Sequence, residues 1–318
     1  MTDLSLGNIE EAARLIDPTF LNTPQFVDAA LSRRLGADTL VKLETLNPIR
    51  SFKGRGADYY LRRVPGGRTV VCASAGNFGQ AVAYAGGARG VEVVVFAATS
   101  ANPAKVARMR ELGAEVILTG DDFDAAKVAA RAYAAEDPAR LFVEDGDEAS
   151  IAEGAGTIGV ELAPLGVGTL LVPVGNGALI AGVGRWLKEV SPGTKIIGVC
   201  AAGAPAMADS WRQGRPVASS SPRTAADGIA VREPVPAAVD RMLNCVDDVV
   251  LVDEEHIRRA VRVVRDTLGL LVEPAGAAGI AAALQHGISG DGLATIITGA
   301  NLAPDLRAEL TGTGGRAD

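Results

Sequence analysis

Cysteine, histidine and aromatic side chains are all scarce in this chain. Its 318 residues include three cysteines (Cys72, Cys200, Cys245) and two histidines (His256, His286), and Phe, Trp and Tyr together make up 4%. An odd, low cysteine count with no Cys-x-x-Cys pair excludes a disulfide framework and points to a reducing compartment, so a cytoplasmic location is expected. The histidines lie far apart on expected helices and read as solvated or capping groups, so they suggest no metal site. No apolar run approaches the ~20 residues of a membrane span. The first residues carry Asp3, Glu10 and Glu11 and lack a basic segment followed by an apolar one, so no signal peptide is expected. The net charge of −7 disfavours non-specific binding to nucleic acid or anionic membranes, but not a small anion held locally. Internal repeats are absent, and low complexity is confined to the tail 312–318.

What the chain does have is glycine, 38 residues, and 48% hydrophobic residues over a length that suits one large or two ordinary domains. Small residues allow the tight strand-to-helix turns of α/β folds. A helix is expected over 9–16, then a turn at Asp17-Pro18. Thr23 as N-cap with Pro24 at the first helical position predicts a second helix to about Arg34. A strand is expected over 39–44. From residue 69 strands and helices alternate, with strands over 69–73, 91–97, 115–118 and 141–143 and helices over 77–88, 103–112, 122–135 and 149–162. A second series places strands at 169–174, 195–200, 247–252 and 293–298, with helices near 178–189, 204–212, 254–268 and 275–286 between them. The segment 214–236, rich in Pro, Ser, Arg and Gly, reads as a long functional loop. Continuous apolar strands alternating with helices imply parallel sheets covered on both faces. The expected fold is α/β, with two open, mostly parallel-sheet lobes. Residues 65–150 would form the smaller lobe, and 1–64 with 151–318 the larger. The cleft between them is the default ligand site.

Four stretches can carry chemistry. Lys53 follows the strand over 39–44 and the turn at Asn47-Pro48. Small residues come after it, as they would if something had to sit against its amine; a surface lysine opening a helix is the other reading. Ser74-Ala75-Gly76-Asn77-Phe78 lies at the carboxyl end of a strand and opens a helix, where backbone N–H groups favour a carboxylate-sized anion. Gly175-Asn176-Gly177-Ala178-Leu179 follows another strand, and its glycines let backbone wrap a phosphate at a helix N-terminus. It is no P-loop, for want of a terminal Gly-Lys-Ser/Thr. It is a poor dinucleotide fingerprint, because Ile180 replaces the third glycine and the next strand ends Val199-Cys200-Ala201 without an acid. Thr298 offers a neutral hydroxyl at the end of the last strand. Glu273, before Pro274-Ala275-Gly276-Ala277, places an acid in a helix's first turn, where the dipole favours it.

A lysine, a carboxylate-sized site, a phosphate-sized site and a neutral hydroxyl suit a lysine that forms a Schiff base with a phosphate-bearing aldehyde. With Ser51-Phe52-Lys53-Gly54-Arg55-Gly56-Ala57, Ala226-Asp227-Gly228-Ile229-Ala230-Val231 and Thr298-Gly299-Ala300-Asn301, the chain resembles the fold-type II pyridoxal-phosphate enzymes (tryptophan synthase β-like), and among them the serine/threonine dehydratases. The likeness spans nearly the whole chain. It implies pyridoxal 5′-phosphate bound to Lys53, which also takes the substrate's α-proton. Gly175, Asn176, Gly177, Ala178 and Leu179 would hold the phosphate and Asn77 the 3′-oxygen. Phe52 would pack beside the ring and Thr298 meet its nitrogen, with Gly228 and Glu273 also lining the cofactor and Asp227 the substrate side. Ser74, with Ala75, Gly76, Asn77 and Phe78, would hold the substrate carboxylate.

The implied reaction is elimination of water from a β-hydroxy amino acid such as L-threonine or L-serine, leaving a 2-oxo acid and ammonia. A threonine rather than a carboxylate at the ring nitrogen disfavours a long-lived carbanion and steers toward loss of the β-substituent, with a proton from a nearby acid such as the cofactor phosphate. The alternatives within the fold are a serine/aspartate-type racemase and a β-replacement enzyme. Racemases of this resemblance place a second serine where this chain has Ala75, and the sulfhydrylases place a threonine where it has Phe78. Cys200, Ala204 and Ala206 stand where the racemase-like branch holds a divalent cation, so no metal is expected. A homodimer is the family-level expectation, and no regulatory domain is expected after Asn301.

Overall fold

The computed structural model describes residues 3–220 and 222–311. The tail 312–318 and Ser221 of the long loop lie outside the described residues. Ten strands occur among those described: β1 Gln25–Val27, β2 Thr39–Leu43, β3 Thr69–Ala73, β4 Glu92–Ala97, β5 Glu115–Leu118, β6 Arg140–Phe142, β7 Thr169–Pro173, β8 Lys195–Ala201, β9 Asp248–Val252 and β10 Leu293–Ile297. They form a six-stranded sheet, order β1-β2-β10-β7-β8-β9, and a four-stranded sheet, order β5-β4-β3-β6. The β1–β2 pair is antiparallel and every other pair is parallel. Helices cover both faces, so the central strands are apolar without alternation; all five residues of β10 are buried.

The last strand in sequence therefore lies between β2 and β7. Ile297 pairs with Leu43 in register, and the Glu44 N–H donates to the Ile297 carbonyl at 3.0 Å. The chain leaving β2 and the chain leaving β10 stay side by side: Ser51 bridges Gly299, and the Phe52 N–H donates to the Thr298 carbonyl at 3.1 Å. Register alone thus sets Lys53 beside Thr298.

The helix expected after Thr23-Pro24 is not there. The Thr23 hydroxyl donates to Glu44 at 2.6 Å instead of capping, and Gln25–Val27 adds to the edge of β2 as a strand. The helix starts later, at Ala29–Leu35, with Asp28 as its cap. Two helices have no counterpart in the sequence reading, Pro236–Cys245 and Pro304–Thr311. Elsewhere the described elements follow the expected ones within a residue or two at most ends. The three cysteines are free and buried, and burial pushes each thiol up to about 12. Among the described residues no helix is long and apolar enough to cross a membrane.

Helices Ala149–Leu162 and Ala178–Val190 pack backbone to backbone. A Cβ on Gly182 would lie 1.9 Å from the Ala152 carbonyl oxygen, and one on Gly156 3.0 Å from the Gly182 oxygen. Gly182→Ala is expected to cost about 1–3 kcal/mol or more, because neither backbone can yield. The check is a lowered thermal midpoint; an unchanged one would mean that the helices separate freely.

Candidate active site

The lysine loop is held from several sides. Asn47 Oδ1 accepts from the N–H of Ile49 at 3.2 Å and of Ser51 at 3.3 Å, while its amide donates to the carbonyls of Glu44 at 2.9 Å and Ser51 at 3.1 Å. Arg50 takes a left-handed φ of 51° in this turn. Helix Lys53–Arg63 then begins at the lysine itself. Gly54 and Gly56, read in the sequence as clearing space for the amine, serve packing. A Cβ on Gly54 would lie 2.2 Å from the Phe20 ring, and one on Gly56 2.5 Å from the Ile151 carbonyl oxygen. Nor is charge kept away from this stretch, since Arg55 lies between them, fully buried.

The Arg55 guanidinium bonds Glu44 at 2.8 and 2.9 Å, Glu161 at 2.5 and 3.0 Å and the Thr157 hydroxyl at 3.0 Å. Lys42 pairs with Glu161 as well and donates to the Thr23 carbonyl at 2.8 Å. Burial opposes the charge on Arg55, but the two carboxylates outweigh it and hold the guanidinium above its ordinary range. Burial pulls the Lys42 ammonium down, offset in part by Glu161. Deleting one partner from such a buried set costs about 3–5 kcal/mol, since it leaves an uncompensated charge. The cluster joins β2, the lysine helix and helix Ala149–Leu162.

A narrow slot at the carboxyl end of the six-stranded sheet is lined by Phe52, Lys53, Asn77, Gly175, Asn176, Gly177, Ala178, Leu179, Gly228, Glu273 and Thr298. Residues expected to hold a cofactor, scattered over the sequence, thus share one wall. Gly177 has φ 85° and stands at the N-terminus of helix Ala178–Val190. A Cβ on Gly175 would come 2.5 Å from the Gly228 carbonyl oxygen and close the slot. The slot meets a wider cleft of about 470 Å³ that Lys53 shares with Ser74, Ala75, Gly76 and Phe78. Asn77, placed by the sequence reading both at the cofactor's 3′-oxygen and with the carboxylate residues, lines the slot and not the wider cleft. The Ser74 hydroxyl accepts from the Gly76 N–H at 3.1 Å, which leaves its own proton to donate.

Glu273 does not act as a first-turn dipole acid. It precedes the short turn Pro274–Ala277 without capping it, and its carboxyl accepts from the Asn77 amide at 2.6 Å and from the Asn301 N–H at 3.1 Å. Asn301 in turn donates to Asn77 Oδ1 at 2.7 Å and to the Ile49 carbonyl at 2.8 Å. Four loops from both sheets are tied by this one set. Burial pushes the Glu273 carboxyl up to about 7; Asp227 adds to the rise, while Lys105, Asn77 and Asn301 offset part of it.

Further residues at the site escaped the sequence reading. Asp145, on the loop after β6, forms an ion pair with Lys53. Lys105 pairs with Asp227 across the cleft, and Arg232 reaches Asp124 and Asp122. Buried Arg241 donates to the carbonyls of Gly146 and Asp147. Glu144-Asp145-Gly146-Asp147 reads as an ordinary acidic loop, so nothing in the sequence pointed to it.

A half-buried lysine amine, a glycine cradle at a helix N-terminus and a buried neutral hydroxyl within one slot fit a phosphate-bearing aldehyde. They define a pyridoxal-phosphate enzyme of the two-lobed parallel-sheet type. Residues 16–299 match the family described as "Pyridoxal-phosphate dependent enzyme", and the chain belongs to that family. It is 38% identical to an L-threonine ammonia-lyase of Geobacter sulfurreducens, over 81% of this chain and 65% of that one. It is 35% identical to an L-threonine ammonia-lyase of Thermotoga maritima, over 94% of this chain and 76% of that one. Its structure is similar to the processed form of threonine deaminase isoform 2 from Solanum lycopersicum, with a TM-score of 0.88 and 30% identity, covering 99% of this chain and 90% of that one.

Glu273 sets a pH dependence whose sign follows from its raised value. The folded chain holds this proton more tightly than the usual 4.5. Its contribution to stability is therefore present below pH 4.5 and lost as pH rises toward 7, a loss on the order of 3 kcal/mol. Glu273→Gln should flatten this fall when thermal midpoints of variant and parent are compared across pH 4.5–7.5 (about the titration window). Parallel curves would contradict the assignment.

Proposed function

We propose that the chain is an ammonia-lyase that removes water from a β-hydroxy amino acid such as L-threonine or L-serine and releases a 2-oxo acid and ammonia. The observation that carries this reading is the position of Lys53, shared by the phosphate-sized slot and the cleft bearing Ser74 and Ala75. Pyridoxal phosphate, when bound, supplies an electron sink for the substrate's α-carbon. Lys53 would anchor that group, and its free amine would take the substrate's α-proton. The backbone from Gly175 to Leu179 holds the phosphate, with Phe52, Asn77, Gly228 and Glu273 around the ring. Thr298 would offer the ring nitrogen a neutral hydroxyl rather than a charge, which suits expulsion of a β-substituent. Ser74 donates to the substrate carboxylate beside the turn formed by Ala75, Gly76, Asn77 and Phe78.

Ala75 disfavours the racemase reading, because a methyl group can neither hold nor return a proton where such racemases have a second serine. Phe78, standing where the sulfhydrylases have a threonine, disfavours β-replacement. Residues 65–150 are assigned to a substrate-side lobe and 1–64 with 151–318 to a cofactor-side lobe. A cytoplasmic homodimer is proposed with this reading, as a family-level expectation.

Lys53→Ala is expected to lower turnover by about 10²–10⁴-fold or more and to abolish the visible absorbance gained on adding pyridoxal phosphate. An unchanged visible spectrum in that variant would sink the assignment. A screen of threonine, serine and 3-hydroxyaspartate for 2-oxo acid release identifies the preferred substrate; release from none of them by the parent protein would contradict the reaction.

A further inference from the structure

Resting on the reading of the chain as a dehydratase, we propose that Asp145 is a catalytic residue of the elimination: it receives the proton that Lys53 removes from the substrate and delivers it to the departing β-hydroxyl. Asp145 is 6% exposed. One carboxylate oxygen pairs with the Lys53 amine, while the other is buried without a hydrogen-bond partner. Buried carboxylate oxygens are seldom left unpaired. The residue lines the same cleft as Ser74, Ala75 and Phe78. It therefore places a carboxylate against both the Lys53 amine and the cleft that bears Ser74.

The other acids facing this cleft are committed elsewhere. Glu144 pairs with Lys127 and Arg131, Asp227 with Lys105, and Asp122, Asp124 and Glu233 with Arg232. Asp145 is also held in place. Gly146, next to it, has φ 97°, and a Cβ there would lie 2.3 Å from the Asn176 carbonyl oxygen. The Arg241 guanidinium, 4% exposed, donates to the Gly146 and Asp147 carbonyls at 2.8 Å each and is itself held by Asp3. The backbone beside Asp145 is thus fixed against the phosphate-sized loop, and its carboxylate against Lys53. Proton-transfer groups gain their effect from positioning of this kind.

The step balances. The α C–H bond breaks, its proton goes to the Lys53 amine, and its electron pair becomes the Cα–Cβ double bond. The Lys53 ammonium passes a proton to the Asp145 carboxylate. The Asp145 acid gives it to the β-oxygen as the Cβ–O bond breaks, the bonding pair leaves with oxygen, and water departs. Lys53 ends as the free amine and Asp145 as the carboxylate. The water consumed later, when ammonia is released, replaces the one expelled.

The test compares a leaving group that needs a proton with one that does not. Initial rates of 2-oxo acid release by the holoenzyme are measured on L-serine and on β-chloro-L-alanine, for the parent, D145N and D145S. Cofactor affinity, from absorbance titration, and thermal midpoint are measured alongside. The expected result is a fall of about 10²-fold or more on serine, a fall of less than about threefold on chloroalanine because chloride leaves unprotonated, and unchanged cofactor affinity. Equal losses on both substrates, or loss of cofactor binding, would reduce Asp145 to a positioning residue for Lys53 and overturn the relay. Undiminished serine turnover would assign the proton to another group. A parent protein inert on both substrates would bring down the dehydratase reading itself, and the relay with it.

Discussion

One buried guanidinium holds the frame of this protein together. Arg55 lies two residues beyond the lysine and is surrounded by carboxylates from the end of β2 and from helix Ala149–Leu162. Two acids cannot be buried together without a cation, and a cation cannot be buried without them. The end of one sheet, the start of the lysine helix and a long packing helix therefore stand or fall together. Lys42, on β2 itself, and Thr23, just before β1, complete the set. The helix that begins at the lysine is anchored by this cluster two residues on.

Topology does the rest. Inserting the last strand between β2 and β7 sets Thr298, Lys53 and the glycine loop after β7 around one opening at the strands' carboxyl ends. Glu273 then links these segments to the first turn of helix Asn77–Gly87, which belongs with the other sheet. Its carboxyl is costly to bury, yet it meets the amides of Asn77 and Asn301, so the cost is borne where the two sheets adjoin.

Much of this was legible in the sequence because strands covered on both faces leave uninterrupted apolar runs. Thr69–Ala73, Glu115–Leu118 and Ala149–Leu162 fall where those runs and their flanking residues put them. Turn chemistry marked Gly175 to Leu179 and Ser74 to Phe78, and their order along the chain pointed to one family. Features set by distant partners were not legible. Gln25–Val27 is a strand only because β2 offers an edge, and Thr23 abandons its capping role for Glu44. Gly54 and Gly56 answer to Phe20 and Ile151, contacts that no local pattern encodes. Asp145 acquires meaning only when β6 and the helix after it carry it to Lys53.

The ion pairs at the mouth of the cleft differ in kind from those around Arg55. Lys105–Asp227 and Arg232–Asp122 each include a partner whose side chain is more than half exposed, whereas the Arg55–Glu44 pair is wholly enclosed. Exposed pairs of this sort contribute about 0–1 kcal/mol and are screened by salt, while enclosed ones feel salt little. Ionic strength therefore acts on this protein selectively. It loosens the charges that bridge the two sides of the entrance and leaves untouched the scaffold that aims the lysine.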